Sequence, residues 1–440
     1  MHPLLHSYKA QALTLLFVWL IAMILSAEIV LSVSMILLCV LAVFQLYWTE
    51  QGPQLGLRAT LRDNLRLLRR HPAYLVILLP FVLVLLSAVY SSDVDYTLER
   101  LRVKLPFLVL PLAFVSLPRF SRRELSGLLY FFVLLMVIAC GYVGVQYLAD
   151  FEAINAAMGR GKPMPTPSNH IRFSLSVALA ILAGGALVQQ RFVWRSAWER
   201  YLLAGSTLFL FVFIHLLSVR SGLLALYLAL AYLGAYWIYR SRRWATGAVL
   251  VAMLAGLPFA AYHTLPSLRK KIDYARWDWQ QYRAGRGAEY SDSERLLSLR
   301  LGWQVAQENL VFGVGAGDLK DRMRTAYATA GDRPPRMPHN QLLTVLAGTG
   351  VLGLLLYLTA LLVPLFSKQH YRQPLFLAFH VVIFTSLLME NTLENNFGIS
   401  LYLFFLLLGM THLDKRRADW QQRSKLRAIS DQRRRASGAG

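Results

Sequence analysis

The stretch LSGLLYFFVLLMVIACGYVGVQYLA, Leu125–Ala149, decides the class of the fold: 25 residues pass without an Asp, Glu, Lys or Arg. A helix rises 1.5 Å per residue, so about 20 such residues already cross the ~30 Å hydrocarbon core of a bilayer. Working outward, blocks of the same kind begin near Gln11, Ile29, Ala73, Arg102, Ile171, Tyr201, Ser221, Trp244, Gln341, Pro374 and Phe397, twelve in all. Apolar residues make up 56% of the 440 and charged residues 16%, well under the roughly 25% of water-soluble domains. The sequence therefore predicts an all-α polytopic membrane protein of about 12 transmembrane helices. The first block runs almost directly into the second and lacks a basic leader, so it reads as a retained helix rather than a removed signal peptide.

Lys and Arg outnumber Asp and Glu by 46 to 24. In a soluble chain that balance points to nucleic acid; here the basic residues sit beside span ends, where they fix topology and meet anionic lipids, so no nucleic-acid partner is expected. Arg58, Arg62, Arg66, Arg69 and Arg70, then Arg119, Arg122 and Arg123, then Arg191, Arg195 and Arg200, then Arg240, Arg242 and Arg243 all fall in alternate connections. The connection Ser91–Glu99, on the other side, is acidic. Both termini are thus expected in the cytoplasm, with a basic tail carrying Lys415, Arg416 and Arg417. The implied division is 1–264 for nine spans with short loops, 265–339 for one large external loop, 340–413 for three more spans, and 414–440 for the tail.

The 75-residue connection Leu265–His339 is too long to be a turn, and connections of that size are usually functional. Ser291-Asp-Ser-Glu294 fits a capping box, and Leu296, Leu299, Trp303, Ala306 and Leu310 recur at helical spacing, which predicts an amphipathic helix. Before it, Tyr274, Trp277, Trp279 and Tyr282 fall on a second short helix, read as an interfacial belt in preference to a sugar-stacking platform. A second external loop, Asp150–His170, holds Pro163, Pro165 and Pro167 and is expected to be irregular; it leads into Asn169, His170 and Arg172. Between the seventh and eighth blocks, Ser218-Val-Arg-Ser-Gly222 leaves Arg220 with no solvated loop. An arginine there is costly, and its small neighbours favour a ligand-facing role over snorkelling to headgroups. Gly313-Val-Gly-Ala-Gly317 lacks the strand and the Gly-Lys-Ser/Thr ending of a nucleotide loop, so it reads as a turn whose N–H groups are available to an anion. Cys39 and Cys140 lie inside apolar blocks as packing residues. No paired-Cys or His-Glu-x-x-His metal pattern occurs, so neither a metal nor a cofactor is expected.

Three segments then fall in order: Leu217-Ser-Val-Arg-Ser-Gly-Leu223; Arg300-Leu-Gly-Trp303 with Asn309-Leu-Val-Phe-Gly-Val-Gly315; and Pro338-His-Asn-Gln-Leu342 running into Gly348-Thr-Gly-Val-Leu-Gly353. This order resembles the O-antigen ligase and polymerase superfamily over Ser218–Leu356, and the span number with a single large loop is most similar to its ligases. The resemblance implies a GT-C-like, metal-independent inverting glycosyltransferase of the bacterial inner membrane with a periplasmic active site. It would move a glycan from an undecaprenyl-pyrophosphate carrier to lipid A-core in lipopolysaccharide biosynthesis. For that chemistry His339 is the expected general base, with Asn340 orienting its ring and His170 as substitute. Arg220 and Arg300 are the first choice for the pyrophosphate clamp, with Arg172 and Arg295 behind them, because a guanidinium fork matches phosphate oxygens. An O-antigen polymerase and a protein O-oligosaccharyltransferase share the donor chemistry, and a 12-span secondary transporter remains the alternative from another class.

Overall fold

The computed structural model of the chain describes residues 3–49, 52–58, 61–118, 120–284, 291–331 and 334–414. Helices account for nearly all of it. In chain order they are α1 (Pro3–Ile24), α2 (Glu28–Val43), α3 (Leu61–Arg70), α4 (Pro72–Val76), α5 (Leu79–Ser87), α6 (Val94–Ser116), α7 (Arg122–Ala149), α8 (Phe151–Gly159) and α9 (His170–Gln189). Then follow α10 (Glu199–Leu217), α11 (Arg220–Ser241), α12 (Trp244–Thr264), α13 (Pro266–Arg283), α14 (Ser291–Glu308), α15 (Leu319–Thr329), α16 (Gln341–Phe366), α17 (Pro374–Met389) and α18 (Asn396–Asp414). One short antiparallel hairpin interrupts them, β1 (Phe44–Thr49) on β2 (Gly52–Leu57), with Phe44 opposite Leu57.

Each of the twelve expected blocks coincides with helix, but not all meet the length and polarity of a simple span. Seven helices are long and apolar enough to cross a membrane by length and composition: α7, α9, α10, α11, the Gly247–Thr264 part of α12, α16 with the turn after it, and α18. Three apolar segments are shorter: Tyr8–Ile24, Glu28–Val43 and Pro374–Met389. The third block breaks at Ile77 and Leu78 into α4 and α5, whose first turns are each set by a proline, Pro72 and Pro80. The fourth begins at Val94 rather than Arg102, capped by Asp93, and so takes Glu99, Arg100, Arg102 and Lys104 into the helix. The cytoplasmic connection expected from Trp48 to Pro72 contains the hairpin and α3, and the basic segment 415–440 lies outside the described residues.

Helix α9 forms the axis of the bundle, packed against α7, α10, α11 and α17. Its side chains from Phe173 to Gly184 are buried almost without a break, which a helix inside a bundle needs and a lipid-facing helix does not. Cys140 is buried, Cys39 half-buried, and both are free thiols. Asp150–His170 is helical in its first half, α8, because the helix-breaking prolines begin only at Pro163; the remainder is irregular as expected.

The large loop folds as α13, α14 and α15 with a core of its own: Leu301, Val305 and Ala306 of α14 meet Leu319, Met323 and Tyr327 of α15 and Leu346 and Ala347 of α16. Burying each large apolar side chain there contributes about 1.5–3 kcal/mol. The stripe differs from the one read in the sequence. Leu296, Trp303 and Leu310 are exposed, and the face that packs is Ser298, Leu301, Gly302 and Val305. The start of α14 is capped from outside, since buried Asp278 of α13 accepts from the Asp292 backbone N–H at 2.7 Å and the Ser293 hydroxyl at 2.6 Å. The Ser291 side chain of the expected capping box lies outside the described residues.

The two glycine motifs are halves of one joint. Val314 and Gly315 donate to the Ala347 and Gly348 carbonyls at 2.9 and 3.0 Å, and Val351 donates back to Leu310 at 2.8 Å. Gly313, at φ +75°, lies so near Thr349 N that an added Cβ would stand 2.3 Å from it, and Gly350 breaks the helical path of α16 at φ +66°. Gly313 donates to Asn309, while Ala316 and Gly317 donate to the Ser87 and Ser91 hydroxyls. These N–H groups are taken up inside the protein, which corrects the reading of the turn as an anion cradle. Asp318 extends the joint by accepting from the Ser92 and Asp93 N–H groups at 2.7 and 2.8 Å.

Candidate active site

Where the loop domain meets the ends of α9, α16 and α17, titratable groups from distant parts of the chain converge. His339 precedes α16, and its Nδ1 lies 2.9 Å from Glu390 Oε2. Glu390 follows α17, is buried, and also accepts from the Arg295 guanidinium of α14. Burial alone would raise its carboxyl, but the His339 hydrogen bond and the Arg295 charge outweigh that and hold it below the usual carboxylate range. An ionised carboxylate only accepts, so His339 Nδ1 is the donor, and in the neutral imidazole Nε2 is then the nitrogen that can accept a proton. The Ser298 hydroxyl accepts from the His339 backbone N–H at 3.3 Å.

Asn340, expected to orient the imidazole, instead joins two helices. Its Oδ1 caps α16 at the Leu343 N–H, 2.9 Å away, and its Nδ2 donates to the Leu388 carbonyl at 3.1 Å. Glu390 orients the ring. In sequence, Glu390, Asn391, Glu394, Asn395 and Asn396 after the eleventh apolar block read as an ordinary polar loop in preference to a group that orients an acceptor sugar, because a carboxylate after an apolar helix carries no mark of the partner it meets 51 residues away in the chain.

His170 and Arg172 enter from the first turn of α9, both half-buried. The charges acting on His170 are Lys271, Glu390, Arg295 and Arg172, which ties α9 to both halves of the cluster. Among the described residues no hydrogen-bond partner reaches the Arg172 guanidinium, and it lines a cavity of about 270 Å³ with Tyr96, Arg100, Lys104, Asn391 and Glu394. Arg220, at the first turn of α11, is not alone as the sequence suggested: its guanidinium makes a two-pronged pair with Asp292 of α14, one bond at 2.7 Å. Beside it, Lys271 of α13 donates to the Gly161 carbonyl at 2.7 Å. Burial, reinforced by the Arg220 charge and opposed by Asp292, brings the Lys271 ammonium down to about 8.

Arg300 lies apart. Five residues beyond Arg295 on the same helix, it is turned roughly 140° around the axis and sits on the exposed face with Leu296, Trp303 and Gln304. Two groups the sequence reading passed over, Lys271 and Lys104, are both within helices, where a lysine ordinarily marks a solvated face. Lys104 is 3% exposed, with its Nζ 2.7 Å from Glu394 Oε1. Trp277, Trp279 and Tyr282 on α13 are exposed, and Trp279 stacks on Tyr282 with ring centres 5.7 Å apart.

The arrangement is an imidazole held by a carboxylate that also meets the Arg295 guanidinium, with Arg172 nearby on the wall of a partly open cavity. Such a site removes a proton from a hydroxyl and stabilises an anion formed close by. No curated protein matches the chain at a significant level. Residues 205–358, which include Arg220, Lys271, Arg295, Arg300 and His339, match the family model described as O-Antigen ligase. The match covers about a third of the chain, from within α10 to within α16, and so takes in the whole loop domain.

Proposed function

We propose that the protein is an inverting glycosyltransferase that ligates a glycan from undecaprenyl pyrophosphate onto lipid A-core. The observation that carries this reading is the His339–Glu390 pair facing a basic cluster. In the reaction a sugar hydroxyl attacks the anomeric carbon of the donor while His339 Nε2 takes its proton. The anomeric C–O bond breaks and its electron pair leaves on the pyrophosphate, which gains one negative charge. Arg172 and Arg220, with Arg295 behind Glu390 and Lys271 beside Arg220, answer that charge. Arg300, on the exposed face of α14, meets the lipid-linked donor from outside the cluster. With the basic connections in the cytoplasm, the loop domain and the site face the periplasm of the inner membrane. No metal or cofactor enters these steps.

Purified protein, incubated with lipid-linked glycan and no ion gradient, tests this. Three acceptors separate the related activities: lipid A-core for a ligase, a second lipid-linked glycan for a polymerase, and a hydroxyl-bearing protein for a protein transferase. Product on lipid A-core alone is expected. Absence of transfer to all three contradicts the glycosyltransferase reading, and product only on another acceptor contradicts the ligase.

A further inference from the structure

Lys104 is a charged side chain buried in the bundle wall beside the 270 Å³ cavity, and burying an ammonium is costly unless its partners are in place. Its partners all belong to one short loop. Nζ donates to the Leu393 carbonyl and to Glu394 Oε1. Gln341, fully buried at the first turn of α16, grips the same two residues: Nε2 donates to Glu394 Oε1 at 2.6 Å and Oε1 accepts from the Leu393 N–H at 2.8 Å. Arg100, one turn before Lys104 on α6, adds a bond to the Glu394 carbonyl at 3.2 Å. Loop 390–395 is therefore clamped from α6 on one side and α16 on the other. It begins with Glu390, the carboxylate that holds His339.

Why the chain keeps an ion pair here, rather than apolar packing, follows from what the clamp fixes. Replacing a buried pair by apolar side chains is commonly neutral or stabilising, so stability alone does not account for it. Gln341 and His339 are two residues apart, one at the start of α16 and one just before it. The clamp thus ties the base and its carboxylate to a common frame. We infer that Lys104, acting with Gln341, is a positioning residue for the reaction: it locks loop 390–395 so that Glu390 meets His339. This rests on the glycosyltransferase reading for its kinetic consequence, but not for its structural one. The groups facing Glu390 are His339, Arg295, Arg172 and His170, and Lys104 reaches it through the loop alone.

The test is a double-mutant cycle on the purified full-length protein. Lys104→Met is expected to lower kcat about tenfold or more, below the roughly 100- to 10,000-fold range for losing a base outright, with donor KM unchanged. Lys104→Arg restores part of the loss. In a Glu390→Gln background Lys104→Met costs nothing further, because the residue it acts through is already gone. Should Lys104→Met fold poorly because Glu394 has lost its nearest cation, the neutral pair Lys104→Met/Glu394→Gln takes its place in the cycle. An equal loss of kcat with and without Glu390, or a loss confined to donor KM, overturns the inference. A second measurement needs no turnover: hydrogen exchange across 390–395 is expected to quicken in Lys104→Met. If the wild-type protein transfers no glycan yet that exchange quickens, the function falls and the clamp stands. If transfer is robust and exchange is unchanged, the clamp falls and the function stands.

Discussion

At the residue scale the proposed reaction depends on one imidazole having one proton-accepting nitrogen. Glu390, kept ionised, holds the His339 proton on Nδ1, so Glu390→Gln removes both the orientation and the charge that favours imidazolium as the proton arrives. We expect kcat to fall by about 100-fold or more, the range for a misplaced base, with donor KM little changed. A steady-state comparison at equal membrane amounts checks it, and wild-type kcat in the variant would return Glu390 to a purely structural role. The arginines divide in the same experiment. Arg172→Ala and Arg220→Ala are each expected to lose about 100- to 1000-fold in transfer, or roughly 2.7–4 kcal/mol of transition-state stabilisation. Arg300→Ala, from the exposed face of α14, is expected to lose less. The reverse ranking would move the anion site out to the surface of the loop domain. Lys271 adds a pH dependence with a definite sign. Its ammonium titrates near 8, so it is charged below that pH and neutral above it. Donor KM should therefore rise as pH passes upward through about 8, and Lys271→Arg, which stays charged, should flatten that rise.

At the scale of elements, the joint between the glycine turn and the kink of α16 seats the loop domain over the site. A side chain at Gly313 would need both a left-handed backbone and room occupied by Thr349 N. Gly313→Ala is expected to cost at least about 1–3 kcal/mol from the backbone alone, seen as a lower melting temperature of the purified protein. An unchanged melting temperature would mean that the joint can open without penalty. How much of this the sequence shows depends on whether the signal is local. Helix α7 announces itself because 25 uncharged, mostly apolar residues in a row have one physical use, and α14 because its spacing is helical. The face of α14 that packs was not legible: Leu296 and Trp303 look like core, yet Ser298 and Gly302 are what α16 and Pro338 accept closely. The break at Ile77 and the early start of α6 were hidden for the same reason, since apolar counting passes over prolines and charges that tertiary partners accommodate. His339, Arg220 and Arg172 could be singled out as residue types in particular places. Glu390, Lys104 and Lys271 could not, because their roles arise from contacts across 51, 290 and 110 positions.

At the scale of the whole molecule, sidedness and chemistry must agree. The proposed sidedness, with the arginine-rich connections in the cytoplasm and the loop domain on the opposite face, predicts that cysteines at Gln307 and at Arg191 differ in labelling: in intact cells the first reacts with a membrane-impermeant thiol reagent and the second only after permeabilisation. The reverse pattern would put the site on the wrong side for a carrier-linked glycan awaiting transfer outside. The central claim, that this membrane bundle positions His339 as the base of a glycan transfer, is met most directly by the turnover of His339→Gln. Glutamine can donate and accept hydrogen bonds at that position but cannot take a proton near neutrality. Assayed with defined lipid-linked donor and lipid A-core across pH 6 to 8, the variant is predicted to bind donor normally and lose about 100- to 10,000-fold in kcat. Wild-type kcat across that range would contradict the account, because the hydroxyl proton would then be leaving by a route that does not pass through His339.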